Sequence, residues 1–298
     1  MLFPTALPSE KRRQLRSDLK SGRLLKYPGS FSPLVSMLIE NLGFDGIYIS
    51  GSVLSNDLGY PDVGLTTLTE VTQRGRMIAR STKLPSIIDA DTGFGEAMNV
   101  TRTVQEMIEL GLAGCHLEDQ QNPKRCGHLD GKALVSEQEM TMKVKAADKG
   151  RSLDSNFVII ARTDARASEG LEKAIERAKR YVDAGADMIF PEALADEKEF
   201  ETFRNQVSVP LLANMTEFGK SKLLNATQLQ NLGFNMVIYP VTTLRLAMGA
   251  VERGLKQIQK EGSQESLLPA MQTRKELYEL TQYERYNEFD QSIFNFKL

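Results

Sequence analysis

Eight short apolar runs, each followed by a stretch of helical periodicity, restrict the fold of this chain more than any other feature. The runs fall at residues 24–27, 46–50, 86–90, 114–117, 157–162, 188–190, 210–213 and 236–239. They are brief, unbroken and rich in β-formers, as strands buried on both faces of a parallel sheet must be. Between them Val100, Val104, Met107 and Ile108 recur at helical spacing. So do Leu171, Ala174, Ile175, Ala178 and Val182, with Glu172, Lys173, Glu176 and Arg177 on the opposite face. Ser136 followed by Glu139 reads as a capping box. Gly43, Gly111, Gly185 and Gly233 stand just before the next run, where a helix C-cap is wanted.

Eight strand–helix units predict a single-domain (β/α)8 barrel of the TIM type over residues 1–298. The competing open doubly wound sheet lacks a GxGxxG turn after its first strand. Residues 262–298 lie outside the eight units and read as a C-terminal helical extension. Leu267, Leu268, Met271, Leu277, Tyr278 and Leu280 make that extension apolar enough to pack on a neighbouring subunit.

The 37 basic and 39 acidic residues of the 298-residue chain are spread along its length, which argues against a nucleic-acid-binding face. No run reaches the roughly 18 apolar residues of a membrane span. The start, MLFPTALPSEKRRQLR, puts apolar residues before charge, the reverse of a secretory signal. Two cysteines fit reduced thiols rather than a disulfide framework. A cytoplasmic protein is expected.

In such a barrel the chemistry sits at the C-terminal strand ends, and polar residues gather there. The second run ends in Tyr48, Ser50 and Gly51, the third in Asp89 and Asp91, and the fourth in His116, Glu118 and Asp119. The fifth ends in Arg162 and Asp164, the sixth in Glu192 and the seventh in Asn214 and Thr216. Helix capping accounts for one or two such residues but not for six successive strand ends. Residues two apart share a face, so Asp89 projects with Asp91, His116 with Glu118, and Arg162 with Asp164. Converging carboxylates need a cation to stay ionised. The oxygen-only set Asp89, Asp91 and Glu118 suits a hard ion, Mg2+ first and Mn2+ as its substitute. Arg162 offers a permanent charge and a planar fork for a substrate carboxylate.

Cys115, His116, Cys126 and His128 fall close together, but adjacent strand residues Cys115 and His116 point to opposite faces, which disfavours zinc. Cys126 lies in the long loop 119–135, a length typical of an active-site lid. Basic neighbours in KRCGH, residues 124–128, lower a thiol pKa toward the range useful for acid–base work. An exposed loop cysteine among solubilising charges would carry the same neighbours.

KRCGH resembles the signature loop of the isocitrate lyase and phosphoenolpyruvate mutase superfamily. Pro61-Asp62, DADTGFG at 89–95, HLED at 116–119, ARTDA at 161–165, FPEA at 190–193, NMTEFG at 214–219 and MQTR at 271–274 follow its order. Within it the pattern is most similar to the 2-methylisocitrate lyase branch. Isocitrate lyases are longer and carry Trp where Phe190 stands, and this chain has no Trp. Ser52 departs from the branch's usual glycine. The resemblance implies a carbon–carbon lyase acting on a small tricarboxylate, methylisocitrate, in propionate catabolism, with Cys126 protonating the product carbanion. Lys124 and His128 flank it as catalytic residues, and Tyr48 and Asp62 are the candidates for taking the hydroxyl proton. The implied substrate-binding set is Ser50, Gly51, Ser52, Gly127, Arg162, Glu192, Asn214, Met215, Thr216, Arg245 and Arg274. Phe190 and Pro240 would decide which substituent fits. The resemblance also implies a homotetramer with the eighth helix swapped between subunits. Lyases for isocitrate or 2,3-dimethylmalate, a phosphonate mutase, and an inactive barrel serving as a binding subunit are the alternatives.

Overall fold

The strands form where the apolar runs predict them, with bounds shifted by no more than two residues. A computed structural model describes residues 6–125, 127 and 131–294. Its strands are β1 (Leu25–Pro28), β2 (Ile47–Ile49), β3 (Ser86–Asp89), β4 (Gly114–Glu118), β5 (Val158–Thr163), β6 (Met188–Pro191), β7 (Leu212–Asn214) and β8 (Met236–Tyr239). All pair in parallel, β2 through β6 in one run and β1-β8-β7 in another. Single parallel bridges, Gly29 to Tyr48 and Ile189 to Leu211, join the two runs at both seams and complete the ring. The fold is the α/β barrel that the eight-unit rhythm predicts.

Strand parity divides the core in two. Leu25, Tyr27, Tyr48, Ile87, Ile160, Met188, Phe190, Leu212, Met236 and Ile238 fill the barrel interior. Their neighbours one residue along, among them Ile47, Ile88, Cys115, Ile159, Ile189 and Val237, belong to the shell beneath the helices. Extending the interior series toward the strand C-termini gives Asp89, His116, Glu118, Arg162, Glu192 and Asn214. The same period that packs the barrel therefore delivers these side chains to its mouth.

The opposite end is closed by the helix Pro8–Leu19, which the eight-unit reading did not anticipate. Leu15 and Leu19, one turn apart, enter the barrel interior. Its cations satisfy the carbonyls left open at helix ends. Lys11 donates to Ala79 O at 2.7 Å, and Arg12 to Leu112 O at 2.9 Å and Asp154 at 2.6 Å. Burial lowers the Lys11 pKa to about 8, partly offset by Glu40.

The helices between strands follow the predicted pattern, with short extra turns, Gly51–Asp57 and Ala165–Ser168, at the mouth. All four predicted C-cap glycines have positive φ, from +75° at Gly43 to +113° at Gly185. Ser136 caps its helix by accepting from Glu139 N at 3.1 Å, while the Glu139 side chain leans toward Lys143. After β8 the pattern changes. The helix Thr242–Glu261 buries none of its residues, and Leu246 and Leu255 are 68% and 62% exposed. The helices Arg274–Leu280 and Tyr283–Phe294 likewise bury none. Among the described residues, no helix is long and apolar enough to cross a membrane.

Candidate active site

The pocket at the C-terminal mouth is built from the last inward residues of successive strands. At its floor Tyr48, His116 and Phe190 pack together. The Tyr48 and His116 rings are stacked at 5.8 Å, and Phe190 meets His116 edge-on at 5.3 Å. The Tyr48 hydroxyl and His116 Nε2 are 2.8 Å apart, and Asp89 Oδ1 lies 3.5 Å from the same nitrogen. Burial, only partly opposed by Asp89, lowers the His116 pKa to about 4, so the ring is neutral near pH 7. Burial also pushes the Tyr48 phenol well above its ordinary value.

Around this floor, carboxylates and cations alternate. Asp89 accepts from Gly51 N at 3.2 Å and from Asp91 N at 3.0 Å. Asp91, with φ of 46°, lies 2.8 Å from Lys124 Nζ, and Lys124 also pairs with Asp62. Arg162 lies over the Phe190 ring at 5.1 Å and is gripped by Asp164 through Nε at 2.9 Å and Nη2 at 3.1 Å. Glu118 and Glu192 approach Arg162 at 3.3 and 3.6 Å. Asn214 donates to both Glu192 oxygens at 3.3 Å.

Ionisation is uneven around this ring. Burial opposes the charge on Asp89, but the positive charges of His116 when protonated, Lys124 and Arg162 outweigh it and hold the carboxyl low. Burial raises Asp91 to about 6 despite Lys124, and the charge on Asp89 adds to the rise. Burial lifts Glu118 well above the carboxylate range despite Arg162.

Asp62, Asp89, Asp91, Glu118, Asp164 and Glu192 gather around Lys124, Lys132 and Arg162. Glu118 Oε1 is buried with no hydrogen-bond partner. Among the described residues, no three acidic, His or Cys side chains already converge on one point as a metal-holding group. Lys124 engages Asp91 and Arg162 engages Glu118. The donor set nevertheless fits a hard divalent cation, which would satisfy the orphaned oxygen and relieve the carboxylate repulsion.

Most of the predicted residues meet here. Tyr48, Ser50, Ser52, Asp62, Asp89, Glu118 and Lys124 line the pocket. Gly127, Arg162, Glu192, Asn214, Thr216 and Arg245 line it too, together with Phe190 and Pro240. Gly51 stands directly behind Asp89 and Asp91, where a Cβ would lie 2.9 Å from Asp89 Oδ2.

Four expected residues among those described do not line the pocket: Gly51 and Asp91, both against Asp89, and Met215 and Arg274. Met215 follows Leu211 and Ala213 in the outward series, so it belongs to the shell, where its sulfur accepts from Leu224 N at 3.2 Å. Strand parity would have excluded it. Arg274 is exposed on the helix Arg274–Leu280, which packs against the helix Pro33–Asn41 and is not part of the pocket lining. Cys126 and His128 lie outside the described residues. Cys115 is wholly buried in the shell while His116 faces the interior, as alternation predicts, so the two do not share a metal. Arg125 and Val241 also line the pocket and were not anticipated. Both sit on loops beyond the strand period that identified the rest.

With this fold and site, residues 15–259 match the phosphoenolpyruvate phosphomutase family, and the chain belongs to it. Its curated relatives point to one branch. A probable 2-methylisocitrate lyase 2 of Corynebacterium glutamicum is 55% identical over 99% of this chain and 96% of its own. A 2-methylisocitrate lyase of Halalkalibacterium halodurans is 49% identical over 94% of this chain and 92% of its own. Among solved structures, oxaloacetate acetylhydrolase with 3,3-difluorooxalacetate superposes with a TM-score of 0.91 at 34% identity, covering 97% of this chain and 98% of that one. Phosphonopyruvate hydrolase with oxalate and Mg2+ superposes with a TM-score of 0.85 at 32% identity, covering 93% and 97%.

Asp164 generates a pH prediction. Burial opposes its ionisation, but Arg162 and Lys132 prevail and hold its pKa at about 2. A carboxyl with a depressed folded pKa stabilises the fold above its unfolded value and loses that contribution as pH falls through the folded one. In denaturant titrations the stability gap between wild type and Asp164→Asn should therefore narrow by on the order of 2 kcal/mol from about pH 5 to pH 2. A gap that is constant across this range refutes the assignment.

Proposed function

We propose that the chain is a 2-methylisocitrate lyase, a cytoplasmic enzyme of propionate catabolism that splits 2-methylisocitrate into pyruvate and succinate. The observation that carries this reading is the 55% identity sustained over 99% of the chain with a relative of that name. The pocket suits a small anionic substrate, because Arg162 presents a fixed cation above Phe190.

Catalysis begins with loss of the substrate's hydroxyl proton. Asp62 and Tyr48 both reach the pocket. The burial that keeps Tyr48 protonated favours Asp62 as acceptor, with Tyr48, hydrogen-bonded to His116, orienting the substrate oxygen. The carbon–carbon bond then breaks, and its electron pair passes into the carboxylate of the departing succinate fragment while the pyruvate carbonyl forms. Cys126 gives its thiol proton to the succinate carbon. Asp89 and Asp91, with Glu118 completing the set, would hold a divalent cation, which would supply Lewis-acid stabilisation of the developing negative oxygen. Mg2+ suits these ligands, and Mn2+ is the natural substitute. Lys124 neutralises Asp62 and Asp91, and Glu192 with Asn214 borders the substrate next to Arg162.

The unburied C-terminal helices support an assembly of several chains. The helix Pro33–Asn41 and its cap expose Leu34, Leu38 and Leu42 at helical spacing. An apolar face of this kind and the uncovered helix Thr242–Glu261 complement one another between copies of the chain. A homotetramer with the helix after β8 exchanged accounts for both, and would bring Arg274 of the extension to a neighbouring subunit. Light scattering should report a mass near four chains, and removing residues 263–298 should disrupt assembly. A monodisperse and active monomer contradicts this.

Exhaustive chelation with EDTA should lower turnover by at least about a hundredfold, as expected for several kcal/mol of transition-state stabilisation, and Mg2+ or Mn2+ should restore it. Unchanged turnover after chelation refutes the metal role.

Coupling to lactate dehydrogenase tests the reaction itself. 2-Methylisocitrate should yield pyruvate and consume NADH faster than isocitrate yields glyoxylate. Cys126→Ser should bind succinate normally yet turn over at least about 100-fold more slowly, because loss of a general acid typically costs 10²–10⁴ in rate. Near-normal turnover by that variant removes Cys126 from the mechanism.

A further inference from the structure

The loop that carries Cys126 is tied down at the residues on either side of it. Its two legs run antiparallel: Gln121 N donates to Ala133 O at 2.8 Å, Val135 N to Asp119 O at 3.0 Å, and Gln120 bridges Leu134. At the residue before Cys126, the buried amide of Gln120 grips both backbone groups of Arg125. Gln120 Oε1 accepts from Arg125 N at 2.9 Å, and Nε2 donates to Arg125 O at 2.8 Å. At the residue after it, the Lys132 ammonium donates to Gly127 O and to Asp164 Oδ1, the latter at 2.9 Å.

Two features set these contacts apart from ordinary loop packing. The Lys132 side chain is only 3% exposed, and burying an ammonium is costly unless it is paired. Asp164 already holds Arg162 with two hydrogen bonds. What Lys132 adds is a link from that carboxylate to the loop backbone. Gly127 is also seated directly on the substrate cation, for a Cβ there would lie 2.3 Å from Arg162 Nη2 and 2.5 Å from Glu192 Cγ.

We infer that Gln120 and Lys132 are positioning residues that fix the backbone on both sides of Cys126, with Lys132 referring the loop to the same carboxylate that orients Arg162. The backbone on either side of the thiol-bearing residue and the guanidinium are thereby referred to one frame, as proton delivery to a carbon beside a bound carboxylate requires. This rests on the reading of Cys126 as the proton donor.

Lys132→Met and Gln120→Met remove the two clamps with little change in volume. Each should lower kcat about 10–100-fold, the scale on which a displacement of about 1 Å acts, with a smaller change in KM. Lys132→Arg, which keeps a donor, should recover most of the Lys132→Met loss. Succinate and Mg2+ should protect Cys126 from alkylation less well in both Met variants than in wild type. Combined with Cys126→Ser, neither clamp substitution should slow turnover further. Full additivity in those double variants, with Cys126→Ser itself strongly impaired, overturns the positioning role alone. Near-normal turnover by Cys126→Ser overturns the underlying reading and this inference with it. Thermal melts compare folding across the series. If Lys132→Met does not fold, Gln120→Met and Lys132→Arg carry the same cycle, and normal kcat in Gln120→Met rejects the clamp.

Discussion

Arg162 is the fixed charge around which the mouth of this barrel is arranged. A guanidinium cannot shed its proton when buried, so the surrounding chain must supply negative charge. Asp164 does so through two hydrogen bonds, while Glu118 and Glu192 approach from the neighbouring strands. Asp164 is itself held from outside the ring. Its backbone N–H donates to Asp119 at 2.8 Å, and Asp119 also accepts from Thr163 and Tyr181. The orientation of one pocket-lining cation thus depends on a network that reaches through the sheet into the helical shell. Burial raises Asp119 to about 6, opposed by these donors, so part of their hydrogen bonding serves to keep it ionised.

The barrel makes this arrangement stable by keeping its two ends different. At the bottom, Leu15 and Leu19 of the first helix finish the interior packing, and Lys11 and Arg12 satisfy helix-end carbonyls. At the top the same inward series turns polar, and its residues line the pocket. The apolar layer of Tyr48, Ile87, Ile160, Phe190 and Ile238 beneath the site excludes water from one side of the charges. Electrostatic contacts there act in a lower dielectric than they would at a surface.

Strand positions and most pocket residues were legible in the sequence because both follow from a period of two carried along short segments. Asp89, Arg162, Glu192 and Asn214 are the next inward residues after an apolar pair or triplet, and Glu118 is the next after His116. The period, strictly applied, also places Met215 outside. What is not periodic was not legible. The first helix reads as a charged segment, EKRRQLRSDLK, and only the open barrel floor gives its two leucines a purpose. Arg274 stands apart from the pocket because its helix packs against the helix Pro33–Asn41, a placement that no strand period encodes. Arg125, Val241 and the two clamps of the Cys126 loop depend on where a long loop returns, which no local pattern encodes.

Gly51 and Gly127 show a further limit on reading sequence alone. A glycine usually signals a turn with positive φ, and Gly43, Gly111, Gly185 and Gly233 are of that kind. Gly51 is different. It opens a helix, where most residues are accepted, and the reason for its identity is the oxygen of Asp89 that a Cβ would approach at 2.9 Å. Gly127 likewise leaves room for Arg162 and Glu192. A methyl group at either position would leave the barrel's strands and helices their packing but push on a carboxylate or guanidinium whose placement the chemistry requires. These two glycines are determined by the site rather than by the fold, and the sequence gives them no mark that separates them from the glycines of the turns.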